Sequence, residues 1–150
     1  MPDDKELPNP TGRTMTAVLH RTGDEPIGAA REAAACFLHE AQQEHGVALY
    51  EETEPVVRLV VSELITNAYT HAPGQCRLDL EIRDDTIEVS VWDHHSHLPT
   101  PLATDPARVG GHGLEIVRAL SKALTIKPDN GGKRISASIA LAAPPAAMAS

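Results

Sequence analysis

Residues 63–72 read Glu63-Leu64-Ile65-Thr66-Asn67-Ala68-Tyr69-Thr70-His71-Ala72, late in an amphipathic pattern that begins near Glu51. At about 100° per residue, Val57, Val61, Leu64 and Ala68 point one way and make a core stripe. Ser62 and Thr66 point roughly opposite. Glu63 and Asn67 stack one turn apart on a shoulder between stripe and solvent. A carboxylate above a carboxamide at the edge of a core can hold a hydrated divalent ion and orient a hydroxyl. Asparagine is also a poor helix-interior residue, because its side chain competes for backbone hydrogen bonds. Taken alone, a shoulder Glu is usually a solvated charge and an Asn there a surface accident. Two segments downstream change that balance.

Working outward, Pro73-Gly74 ends this helix and Pro55 suits its first turn, so it spans Glu51 to about Ala72, regular from near Glu54. Upstream, Pro26 opens an earlier helix in which Ala30, Ala34, Phe37, Leu38 and Ala41 recur at helical spacing, with Gly46 as its C-terminal cap. Thr14–Thr22 reads as a strand. Downstream, Cys76–Arg83 alternates, with Leu78, Leu80 and Ile82 on one face and Arg77, Asp79 and Glu81 on the other. Thr86–Asp93 alternates through Ile87, Val89 and Val91. Asp84-Asp85 joins the two as a tight turn, giving an antiparallel hairpin with one buried face. Residues 94–110, with Pro99, Pro101 and Pro106, read as a loop. A short helix over about Gly113–Lys122, a strand at Leu124–Lys127, a turn at Asp129-Asn130-Gly131-Gly132 and a strand at Lys133–Leu141 complete the order. Ile135, Ala137, Ile139 and Leu141 are in phase on that last strand. Residues 1–13 read as a disordered polar tail, 14–141 as one domain, and 142–150 as a frayed Ala/Pro-rich tail. Helices gathered on one face of a mixed, mostly antiparallel sheet predict an α+β two-layer sandwich.

The chain has 150 residues, enough for one domain with a sound core. Aromatic residues are only 3% of it, so Val, Ile, Leu and Ala must build that core. A net charge of −8 argues against a nucleic-acid backbone or an anionic membrane surface as partner. It suits a protein partner, or a pocket where a metal offsets phosphate charge. Cys36 and Cys76 have no metal-ligand or redox spacing and are expected as free buried thiols. No apolar run is long enough to span a membrane and no secretory segment is visible, so a cytoplasmic location is expected.

The second segment is Val89-Ser90-Val91-Trp92-Asp93, a strand of β-formers ending in a carboxylate. Such an acceptor can take a hydrogen bond from an exocyclic amine such as that of adenine. In a dry pocket the contact is selective, because an analogue without the amine leaves the carboxylate unpaired. A turn-initiating Asp is the plain alternative. The third is Gly110-Gly111-His112-Gly113-Leu114, directly before the helical pattern of Leu114, Ile116, Val117 and Leu120. Glycines let backbone N–H groups approach an anion, and a helix N-terminus adds about half a positive charge. A hinge would explain the glycines equally well. The spacing is neither the dinucleotide fingerprint nor the P-loop.

In this order the three segments resemble the GHKL ATPase/kinase superfamily, with its Bergerat ATP-binding fold. Glu63-Leu64-Ile65-Thr66-Asn67-Ala68 with His71 is similar to that family's N box. Val91-Trp92-Asp93 through Pro99 is similar to its first glycine box, and Gly111-His112-Gly113-Leu114 to its second. The resemblance covers roughly residues 15–141. A stand-alone domain of this length looks most like the RsbW-type anti-sigma-factor serine kinases. Within these 150 residues no dimerisation helix bearing a phosphoacceptor histidine is expected upstream of the domain, because His20 and His39 lack a helical-hairpin setting. That resemblance implies ATP and Mg²⁺ as cofactors, a sigma factor and a STAS-type anti-anti-sigma protein as partners, and a homodimer. It implies Glu63 as general base toward a serine hydroxyl, Asn67 as a Mg²⁺ ligand and Asp93 as acceptor of the adenine amine. It gives Gly111 and Gly113 N–H groups facing phosphate, with Leu114 following in the box. His112 reaches a phosphate oxygen or lies on the surface, and His71 lies near the phosphates or simply ends its helix.

The chain departs from the family pattern in two places. The first glycine box is usually Asp-x-Gly, and here it is Asp93-His94-His95. Near the last strand Gly132-Lys133-Arg134 replaces Gly-Lys-Thr, so a hydroxyl beside the adenine is missing or moved. Three functions follow as expectations. One is a Mg·ATP-dependent serine kinase that doubles as an anti-sigma factor. A second is a protein-binding regulator that keeps nucleotide only as a structural ligand, or has lost it. A third is a catalytic fragment serving a separate histidine phosphoacceptor. Asp93-His94-His95-x-His97 is also open to a metal reading, against which stands the difficulty of converging consecutive residues on one ion.

Overall fold

The structure is a computed structural model that describes residues 13–20, 25–47, 49–71, 75–94 and 113–141. The readings placed on 1–12, 95–112 and 142–150 lie outside these residues. The elements run β1 (Arg13–His20), α1 (Glu25–His45), α2 (Thr53–His71), β2 (Gln75–Arg83), β3 (Thr86–Asp93), α3 (Gly113–Leu120), β4 (Ala123–Asp129) and β5 (Gly132–Ala140). The fold is an α+β two-layer sandwich. Among the described residues, five strands lie in the order β1-β2-β3-β5-β4. All four pairings are antiparallel.

The alternation read in the sequence sets the two faces of the sheet. On β2 the burial pattern inverts at every residue from Cys76 to Ile82. Its partners on β3 keep phase, Leu78 against Val91, Leu80 against Val89 and Ile82 against Ile87. Val91, Val89 and Ile87 then face Ile135, Ala137 and Ile139 on β5. This inner face packs on α1 and α2, whose Ala30, Ala34, Phe37, Leu38, Ala41, Val57, Val61, Leu64 and Ala68 are all buried. The apolar face of α1 is therefore consumed within the chain. The stripe on α2 is wider than the sequence reading, because Val60, Ile65 and Tyr69 are buried too.

Turn chemistry fixes the register. Asp84 adopts φ 56° in the β2–β3 turn. Asn130 and Gly131 have φ 49° and 79°, the two positive values that a type I′ hairpin turn requires. Gly46 caps α1 at φ 69°, with the Val47 N–H donating to the Ala41 carbonyl. Pro128 lies in β4, an edge strand, where the missing N–H costs no interior ladder bond.

The expectation for the cysteines needs correction. Cys76 is buried but Cys36 is exposed. Cys36 sits on the face of α1 opposite Ala34 and Leu38, where the helical period carries it to solvent. Among the described residues, no helix is long and apolar enough to cross a membrane.

Candidate nucleotide-binding site

The inner face of α2 turns a shoulder toward the start of α3. Glu63 and Asn67 are half-buried there, flanked by buried Leu64 and Ala68 on one side and exposed Thr66 on the other. The shoulder placement read from the helical period is what the structure shows. Gly113, the first residue of α3, sits against this shoulder. A Cβ built on it would lie 2.6 Å from Glu63 Oε1. A negative carboxylate beside a helix N-terminus is a favourable arrangement, and the first turn of α3 has an intrinsic preference for anions. Leu114 and Val117 are buried and pin this eight-residue helix to the core.

Asp93 ends β3 in phase with Ile87, Val89 and Val91, so it points inward. Only 1% of the residue is exposed. Its Oδ2 accepts a hydrogen bond from Lys133 Nζ at 2.6 Å. Lys133 pairs with it across the β3–β5 ladder, and both side chains are 1% exposed. Gly132 allows this approach, since any Cβ there would collide with the Asp93 carbonyl oxygen. On the other side of Asp93, across the β2–β3 ladder, lies Cys76. Burial pushes the Cys76 thiol up to about 11; a hydrogen bond with Tyr69 opposes the shift and the Asp93 charge adds to it.

Arg134, which stands where the family pattern has a threonine, does not share the face of Asp93. Alternation sends it to the opposite face, where it donates to Asp79 at 3.1 Å and Asp129 at 2.9 Å. The inward residue of that pair is Lys133, which sequence reasoning passed over. The signal was available: position 133 is in phase with Ile135, Ala137 and Ile139, so a lysine there must enter the core face.

Of the remaining expected site residues, Gly111 and His112 lie outside the described residues, as do His95 and His97. His71 is the last residue of α2, but its side chain lies outside them as well. The metal reading of the Asp93–His97 stretch loses its geometry at its first two members. Asp93 points inward, while His94 is exposed and lies edge-on to Trp92 with ring centroids 4.7 Å apart. Among the described residues, no group of three or more His, Cys, Asp or Glu is arranged to hold a metal. A Mg²⁺ that arrives with phosphates needs less: it keeps several waters and takes one or two hard oxygens from protein. The carboxamide oxygen of Asn67, buried one turn from the Glu63 carboxylate, fits that requirement.

The two-layer α+β sandwich thus brings the Glu63 shoulder of α2 against the glycine-led start of α3, with Asp93 turned inward at the end of β3. The family model described as histidine kinase-like ATPase domain matches residues 25–139. The chain belongs to that family, whose members form an ATP-binding, kinase-like class. Solved structures agree in fold. The histidine kinase domain from the Erythrobacter litoralis EL346 blue-light activated histidine kinase matches with a TM-score of 0.50 and 21% identity. That match covers 77% of this chain and 61% of the other, so the chain spans less than two thirds of that structure's length. The catalytic domain of histidine kinase ThkA matches with a TM-score of 0.51 and 14% identity, over 87% of this chain and 97% of the other. No curated protein matches this chain.

Proposed function

We propose that this chain is a regulatory protein kinase that transfers the γ-phosphate of ATP to a serine of a STAS-type anti-anti-sigma protein and sequesters a sigma factor. The observation that carries the kinase reading is the meeting of Glu63 with Gly113: a carboxylate on a helix shoulder, one turn from Asn67, against the first turn of a second helix. Bound Mg·ATP would supply the phosphoryl group and a divalent charge that offsets its phosphates. Glu63 would take the proton of the attacking serine hydroxyl. Asn67 would supply a hard oxygen to the metal. Asp93 would accept from the adenine amine. On the motif resemblance, Gly111 and Gly113 would give N–H groups to phosphate, and His112 and His71 would serve the same phosphates. Leu114, buried at the start of α3, holds that helix on the core. The serine specificity and the partners rest on the motif resemblance and the net charge of −8. The homodimer and the cytoplasmic location belong to the same reading.

Two measurements test it. Calorimetry should find ATP binding that requires Mg²⁺ and weakens in Asn67→Ala. Incubation with radiolabelled ATP and a cognate partner should give an acid-stable phosphoserine, lost in Glu63→Ala. Phosphate transfer unchanged in Glu63→Ala would sink the assignment of the base. An acid-labile product would instead assign the chain to a separate histidine phosphoacceptor. One observation favours a second reading, a protein-binding regulator that keeps nucleotide only as a structural ligand or has lost it: the Asp93 carboxylate is already engaged by Lys133. No ATP binding to the folded chain, or ATP binding without transfer to a cognate partner, would select it.

A further inference from the structure

Lysine is almost never fully buried without a partner, yet Lys133 is 0% exposed and sits on the inner face of the sheet. Its ammonium lies 2.6 Å from Asp93 Oδ2. Stability alone gives little reason for the pair, because replacing a buried ion pair with packed apolar groups is often neutral or stabilising. The placement is nevertheless tightly specified. The residue before it must be glycine to clear the Asp93 carbonyl. The strand period leaves Lys133 no outward choice without also moving Ile135, Ala137 and Ile139. What the pair offers is chemical: an ammonium donor beside a carboxylate acceptor, shielded from water.

The 6-amine and ring N1 of adenine present a donor beside an acceptor, the complement of that pair. If Asp93 accepts from the amine, as in the proposed function on which this inference rests, the neighbouring N1 falls to Lys133. An ammonium carries three donors, so it can hold Asp93 and a base nitrogen together. Guanine in the same pose would set O6 against the carboxylate and N1–H against the ammonium, two repulsions. We propose that Lys133 is a specificity-determining residue that donates to adenine N1 while Asp93 takes the 6-amine.

The test compares ATP with 1-deaza-ATP, in which a C–H replaces N1, by calorimetry on the full chain with Mg²⁺. Wild type should bind 1-deaza-ATP about ten- to a hundred-fold more weakly, the loss of one charge-assisted hydrogen bond. In Lys133→Met the two ligands should bind within about two-fold of each other, because neither then has a donor opposite position 1. Equal affinity of wild type for both ligands would overturn the role of Lys133 and leave ATP binding standing. That arm needs no variant, so a Lys133→Met chain that failed to fold would not protect the proposal. No binding of ATP itself to folded wild type would overturn the nucleotide reading, and this inference with it.

Discussion

Two glycines at the site tolerate a side chain very differently. The Cβ of a Gly113→Ala variant would meet the far end of the Glu63 side chain, 2.6 Å from its Oε1. A flexible carboxylate can move aside, so the fold should survive while the base is displaced. Thermal unfolding should change little, and phosphate transfer should fall by about a hundred-fold, the scale of a misplaced catalytic group. In Gly132→Ala the Cβ meets backbone, the Asp93 carbonyl, which cannot rotate away. That variant should lose about 1–3 kcal/mol in urea unfolding, as overpacked sites do. The cysteines separate similarly. Cys36 is exposed, while Cys76 is buried with its thiol pushed up to about 11. A thiol reagent at mildly alkaline pH should modify Cys36 rapidly in the native protein. Cys76 should react only after unfolding; fast modification of both would contradict the burial.

At the scale of elements, α2 matters most, because it carries the shoulder and touches both layers. Its start is fastened to the end of β5: the buried Thr53 hydroxyl donates to the Leu141 carbonyl at 2.9 Å, with the Ala140 carbonyl at 3.1 Å. The Tyr50 N–H reaches the same Leu141 carbonyl. Its outer side is laced to α1 by Arg58 on Glu32 at 2.9 Å and Arg31 on Ser62 at 3.2 Å. The exposed Arg58–Glu32 ion pair contributes little by itself. Thr53 is different, since it is 2% exposed. Thr53→Val keeps the shape and removes one of the two donors to the Leu141 carbonyl, which retains the Tyr50 N–H. It should destabilise by about 1–2 kcal/mol, measured by chemical denaturation. ATP affinity should hold, because the fastening lies at the opposite end of α2 from Asn67. A large loss of affinity would mean that the whole helix moves. By contrast α3, with eight residues, is too short to persist alone and depends on Leu114 and Val117 for its position.

At the scale of the whole molecule, the sheet separates two environments. Its inner face holds the core and the Asp93–Lys133 pair. Its open face carries a polar network with Asp79 at the centre. Asp79 accepts from Thr16 at 2.7 Å, Arg77 at 3.2 Å and Arg134 at 3.1 Å, so it joins β1, β2 and β5. Burial alone would raise its pKa. The hydrogen bonds from Thr16 and Arg134 and the charges of Arg77 and Arg134 outweigh burial and hold it below the ordinary 3.8. A carboxylate with a depressed folded pKa stabilises above its unfolded value and loses that contribution as pH falls through the folded one. The stability gap between wild type and Asp79→Asn should therefore be constant near neutrality and shrink as pH drops below 3.8. A gap that stayed flat into acid would show that the network does not act through the Asp79 charge.

Composition and periodicity were enough to order the helices and strands, because burying one face of each forces the pattern into the chain. Val57, Val61, Leu64 and Ala68 fixed the face of α2, and with it the shoulder of Glu63 and Asn67. Ile87, Val89 and Val91 set the phase of β3, and Asp93, two residues on, shares their buried face. Asn130-Gly131 announced its turn because few other residues accept two positive φ values. Long-range neighbours were not legible, since they depend on which strands pair and in what register. That Gly113 rests on Glu63, that Arg134 leaves for Asp79, and that Lys133 comes to lie on Asp93 across the ladder were decided only when β3 paired with β5 and α3 packed on α2.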